Sequence, residues 1–232
     1  MEISAIILII YCTVTIIIVN FLRKKSKAPN INNLRFDNFG WVLIKNETTE
    51  KAFKSPELPI QITARVFSEN TANQPFDIYE INSVRAYFRK LAVQQNGGLI
   101  KVEKQNIKGF ETIILITKGS YNQGETYLSA IYIFLKKMTY VIKIQAFQEE
   151  LGIGKRNGII MDQLLANGEV FFSDGIQGWY SDPYDKNFSD GNLMNKAEQE
   201  KYDKDFPSHA LTLVRQTLNK VILSIEIKNY EY

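Results

Sequence analysis

No charged side chain interrupts the chain from Ile3 to Leu22. In a helix rising about 1.5 Å per residue, such a run covers a hydrocarbon core of about 30 Å, which predicts one transmembrane helix over 3–22. Glu2 precedes the run and Arg23, Lys24, Lys25 and Lys27 follow it. That is the reverse of the charge order around a cleaved leader, so the helix is expected to stay and to hold the protein in the inner (plasma) membrane as a single-pass anchor. The basic flank puts the following domain on the cytoplasmic side, with the periplasm as the alternative. Residues 23–34, polar and interrupted by Pro29, read as a basic tether.

The rest, 35–232, reads as one soluble domain. Gly40 to Ile44 and the alternating run Ile60 to Val66 predict two strands flanking a polar loop with Pro56 and Pro59. Between Asp77 and Gln95, the residues Ile78, Ile81, Val84, Phe88 and Leu91 recur at helical spacing, with Gly97-Gly98 as a stop. Four strands follow over 99–103, 111–117, 126–135 and 139–147, with links short enough to make neighbours antiparallel. Ile159, Ile160, Leu164 and Leu165 predict a short helix ending near Gly168. A polar excursion over 173–206 comes next, and Leu211, Val214, Leu218, Val221 and Ile225 mark a closing helix entered at Pro207 and Ser208. Together these predict an α+β fold, an antiparallel sheet sandwiched by helices.

That order of elements resembles a known superfamily. The helix 77–95, the Gly109-centred hairpin from Val102 to Thr117, the strand pair Tyr127 to Phe147 with its phrase Tyr140-Val-Ile-Lys-Ile144, and the closing helix look like the photosystem II extrinsic protein PsbP, the bacterial envelope protein DcrB and the yeast Ran-binding import factor. The resemblance spans roughly 53–227. It implies a PsbP-like sandwich and a non-enzymatic binding or assembly role, often at a membrane. The excursion 173–206 departs from that layout, and no functional residue is carried across.

Composition narrows the chemistry. The formal charge is only +3, and its basic surplus lies beside residues 3–22, so no nucleic-acid partner is expected. A chain of this length buries enough apolar surface to fold without metal or disulfide, so no cofactor is expected. Its one cysteine, Cys12, lies in the apolar run, and its one histidine, His209, precedes the closing helix. Asp203 or Asp205 could orient His209 as a base, but a packed or capping imidazole is the commoner use of that position. No catalytic residue is assigned.

Two further groups stand out. Asp182, Asp185 and Asp190 could ligate calcium, although their spacing is not that of an EF-hand. Trp179, Tyr180, Tyr184 and Phe188 sit in a polar, turn-rich stretch, where aromatic residues serve either as interface anchors or as pins holding a loop to its own core. Gly152 to Gly158, with Lys155 and Arg156, is a weak anion-loop candidate, and Arg85, Arg89 and Lys90 read as the solvated face of the first helix. The resulting expectation is a membrane-anchored, non-enzymatic module that binds a protein partner, for example an immunity or envelope-complex accessory protein. The alternatives are a small-ligand or calcium-binding domain, or an enzyme that uses carboxylates.

Overall fold

The structure, a computed structural model, describes residues 29–68, 74–121, 124–149 and 154–228. The predicted span 3–22 lies outside them, and no helix among the described residues is long and apolar enough to cross a membrane. The fold class is corrected accordingly: the described chain is a mixed α/β fold built on a large antiparallel sheet. No helix among the described residues supports the single-pass and inner-membrane assignments. Part of the stretch read as tether is also packed, because Ile31 and Leu34 are buried and β1 (Leu34–Arg35) pairs with β11 (Glu226–Ile227).

Strands β2 (Val42–Asn46), β3 (Glu50–Lys54) and β4 (Ile60–Phe67) form an antiparallel meander. The chain then crosses one face of the sheet through helix α1 (Ile81–Gln94) and returns by a second meander. That meander comprises β5 (Gly97–Ile107), β6 (Phe110–Tyr121), β7 (Gly124–Leu135) and β8 (Met138–Glu149). Strand β8 closes against β4, giving the order β2-β3-β4-β8-β7-β6-β5. Helix α2 (Lys155–Ala166), the hairpin β9 (Phe171–Ser173) and β10 (Gly175–Gln177), and helix α3 (Ala210–Ser224) complete the order.

The two-residue period of the strands sorts their side chains onto two faces. Tyr140, Ile142, Ile144 and Ala146 of β8 pack with Ile60, Ile62, Ala64 and Val66 of β4 under Leu211, Val214, Leu218 and Val221 of α3. Val141 points the other way, joining Leu99, Val102, Ile113, Leu115 and Phe134 beneath Val84 and Phe88 of α1. Helix α1 starts where the Glu80 side chain accepts the Asn82 N–H, and it ends where Asn96 takes a positive φ of 52°. A third cluster, Ile160, Met161, Leu164, Val170, Trp179 and Ala197, lies between α2 and the excursion.

Candidate functional site

An open sheet has two edges, and an unpaired strand edge is a template for another chain. In this protein the two are treated in opposite ways. At β5 the excursion covers the edge. The Tyr184 hydroxyl accepts the Val102 N–H at 2.7 Å and donates to the Val102 carbonyl at 3.1 Å, and the Gly97 carbonyl accepts the Asn192 N–H at 3.0 Å. Gly98 permits this contact, because a Cβ there would sit 1.7 Å from the Asn192 carbonyl oxygen.

Helix α1 holds the cover down. Arg89 donates to both oxygens of Asp182 at 2.9 and 2.8 Å, and the Arg85 guanidinium lies 3.9 Å from the centre of the Tyr184 ring. The reading of Arg85 and Arg89 as a solvated face is thereby corrected: both clasp the excursion, and Lys90 alone is exposed.

The aromatic and acidic candidates fall into place around this clasp. Trp179 is 2% exposed within the third cluster, Tyr184 is spent on β5, and the Phe188 ring lies under Arg89. Tyr180 is exposed. Of the proposed interface, Trp179, Tyr184 and Phe188 instead seat the excursion on its own domain, and Tyr180 alone remains at the surface. Asp182 is buried and saturated, since it also accepts the N–H groups of Tyr184 and Asp185. Asp185 accepts the Asn187 N–H and approaches Arg89 to 3.7 Å, and Asp190 is exposed. Among the described residues no group of three or more His, Cys, Asp or Glu is placed to hold a metal, so the reading of Asp182, Asp185 and Asp190 as a calcium loop is corrected as well.

Between α2, α3 and the excursion lies a polar network that the sequence does not announce. Arg156, 1% exposed, donates to the carbonyls of Ala197 and Gln199, the Thr212 hydroxyl and Asp203. Arg215 meets the same Asp203 and the Glu198 carbonyl. Glu198, fully buried, accepts from Lys118 Nζ at 3.0 Å and from the Tyr127 hydroxyl at 3.1 Å, and it forms a capping box with Asn195. Asp203 is thus committed to two guanidinium groups and is not an orienting partner for His209.

His209 itself caps α3, its Nδ1 accepting the Leu211 N–H at 3.2 Å. Burial, with Arg156 and Arg215 adding to it, lowers its pKa from 6.5 to about 3. Between those values the unfolded chain binds a proton that the folded chain refuses, so stability contributed above pH 6.5 is lost as pH falls. The expected slope is about 1.4 kcal/mol per pH unit, or about 2 kcal/mol by pH 5. Burial pushes the Glu198 carboxyl up, which acts in the opposite sense, so the comparison with His209→Asn isolates the imidazole. Asn keeps an N-cap acceptor, and urea unfolding of that variant between pH 7 and 5 should be flatter by that amount. An unchanged slope would mean that the imidazole titrates normally.

Among the described residues the opposite edge, β2, carries no such cover. Val42, Leu43 and Ile44 are 55%, 46% and 54% exposed, and in the strand order nothing lies beyond β2. These three residues are apolar on both faces of the outermost strand. The sequence did mark them as a strand, but its place at the edge depends on the pairing of β4 with β8.

No protein-family model and no curated protein matches the chain. Among solved structures, a Bacteroides thetaiotaomicron protein is 9% identical over 46% of this chain and 35% of its own, with a TM-score of 0.29. A Pseudomonas aeruginosa protein of unknown function is 11% identical over 54% of this chain and 82% of its own, with a TM-score of 0.34. Likenesses of this strength carry no argument about fold or function. They offer no link to the PsbP and DcrB superfamily, and the PsbP-like and immunity-protein labels are set aside.

Proposed function

We propose that this protein is a binding module that takes up an extended segment of a partner protein along the outer edge of β2. The carrying observation is the contrast between the edges: one is bonded by the excursion at Gly97 and Val102, while the other presents Val42, Leu43 and Ile44 to solvent among the described residues. Strand addition at such an edge draws affinity from main-chain hydrogen bonds and selectivity from alternate side chains. Exposed apolar residues on an edge strand are otherwise a liability that proteins blunt with charge, and within β2 only Lys45 supplies one. The ionisable groups support the same reading. His209, Asp182, Asp203 and Glu198 are all spent on structure, which leaves no assembled acid and base pair among them.

The test is selection of phage-displayed peptides on the full chain, followed by hydrogen exchange of the complex. Peptides with alternating apolar residues should emerge and should slow exchange of the backbone amides of Val42 to Lys45. The double variant Val42→Lys and Ile44→Lys, whose exposed substitutions should change stability by only about 0.5 kcal/mol, is expected to weaken binding at least tenfold. Selected peptides that protect another surface, or that bind the double variant equally well, would sink the proposal.

A further inference from the structure

Helix α1 buries Val141 of β8 on this face but not Lys143 and Gln145 further along that strand, and a groove of about 350 Å³ opens beside its C-terminal half. Phe88, Leu91 and Ala92 of α1 form one wall, and Leu115, Leu128 and Tyr132 of the sheet lie against it. The volume is within the range of about 300–1,000 Å³ typical of small-molecule sites, and the lining mixes these apolar side chains with polar ones.

Polar residues line the groove on several sides, Gln95 after α1, Thr117, Lys118 and Ser120 on β6 and Thr126 on β7, and β8 adds two more. Strand β8 alternates, so Lys143 and Gln145 face the groove while Ile142 and Ile144 enter the core beneath α3. Gln145 is engaged: it accepts from Gln61 and donates to the Thr126 hydroxyl, each at 3.2 Å. Lys143 is not. Its cross-strand neighbours are Ala130 and Thr63, neither of them charged, and the charge that acts on it is Arg65, another cation, itself paired with Glu50. Among the described residues no carboxylate pairs with Lys143, whereas the buried or half-buried cations Lys118, Arg89, Arg156 and Arg215 each have one. Burial, followed by Arg65, pulls the Lys143 ammonium below the ordinary lysine value, as expected of a half-buried cation without a counter-ion.

We infer that the groove beside α1 binds a small amphipathic carboxylate, with its apolar body against Phe88, Leu91 and Leu128 and its carboxylate on Lys143. Charge complementarity selects the head group: an anion supplies the missing partner of Lys143, and an ammonium would add a third cation beside Arg65. The inference is independent of the reading of β2, which lies across β3 and β4 from the groove.

Calorimetric titration of the full chain with octanoate, 1-octanol and octylammonium at pH 7 tests it. Octanoate should bind at one saturable site about tenfold tighter than octanol, the effect of one charge-assisted hydrogen bond, and octylammonium should not bind. Lys143→Gln, checked for native circular dichroism, should lose that tenfold and leave octanol binding unchanged, and Lys143→Arg should restore it. Octanoate binding no tighter than octanol, absent altogether, or indifferent to Lys143→Gln overturns the inference, and none of these outcomes bears on peptide capture at β2.

Discussion

Arg156→Met should lower the unfolding free energy by about 3–5 kcal/mol, the range for removing one member of a buried, hydrogen-bonded ion pair. The methionine stem replaces the apolar part of the side chain, so the loss falls on the acceptors. The carbonyls of Ala197 and Gln199 and the hydroxyl of Thr212 each lose a donor in a place that water does not readily reach. Asp203 keeps Arg215, which is why the loss is not larger. Arg156→Lys should rescue little, because one ammonium cannot serve four acceptors arranged around a planar fork. Urea midpoints give the magnitude, and hydrogen exchange gives the location: amides over 196–206 should open first. A loss below about 1 kcal/mol would show that the excursion is held by its apolar contacts alone.

The second large effect is expected at Trp179. Truncation to alanine removes the largest fully buried side chain from a small cluster whose other members, Ile160, Met161, Leu164, Val170 and Ala197, come from α2, the link that follows it and the excursion. The cost for a buried tryptophan is about 3–5 kcal/mol, composed of lost transfer energy and the cavity left behind. Trp179→Phe keeps most of the apolar volume and should lose less. Because this cluster is separate from the two that flank the sheet, the amides of β6 and β7 should keep their protection in Trp179→Ala under conditions where those of 195–205 do not. Uniform loss of protection across the chain would contradict that separation.

Much of the regular structure was legible because its signals are local. Tyr140, Ile142, Ile144 and Ala146 alternate with Val141, Lys143 and Gln145, and that period is the one by which β8 divides its residues between faces. Val84 and Phe88 fall on the buried stripe of α1 at the spacing that predicts it. Strand β3 was missed because Glu50-Lys51-Ala52-Phe53-Lys54 carries three charges and only two buried side chains, so its membership depends on neighbours on both sides. The candidate sites were less legible, for a physical reason. Whether Tyr184 is an anchor or a pin depends on the backbone groups of Val102, and whether Arg156 meets solvent or core depends on carbonyls 41 and more residues away. Residue type and spacing do not encode such meetings. Aromatic side chains in a polar stretch did mark the excursion as held by something, and what holds it is α1, α2 and β5. Lys143 carried a weak signal, the lone cation of an alternating strand, that became informative only once its cross-strand neighbours were known.

The long-range zipper of β4 on β8, running from Ile60 opposite Ala146 to Phe67 opposite Thr139, sets the order in which the molecule can be completed during synthesis. The first meander must wait with β4 open while α1 and the next three strands are made, and non-local pairing of this kind is slow to form. Its apolar row, Ile60, Ile62, Ala64 and Val66, waits longer still for α3 to cover it. A nascent chain released before Ala210–Ser224 has emerged therefore offers that row to other chains, and for such a chain α3 is the segment that separates folding from aggregation.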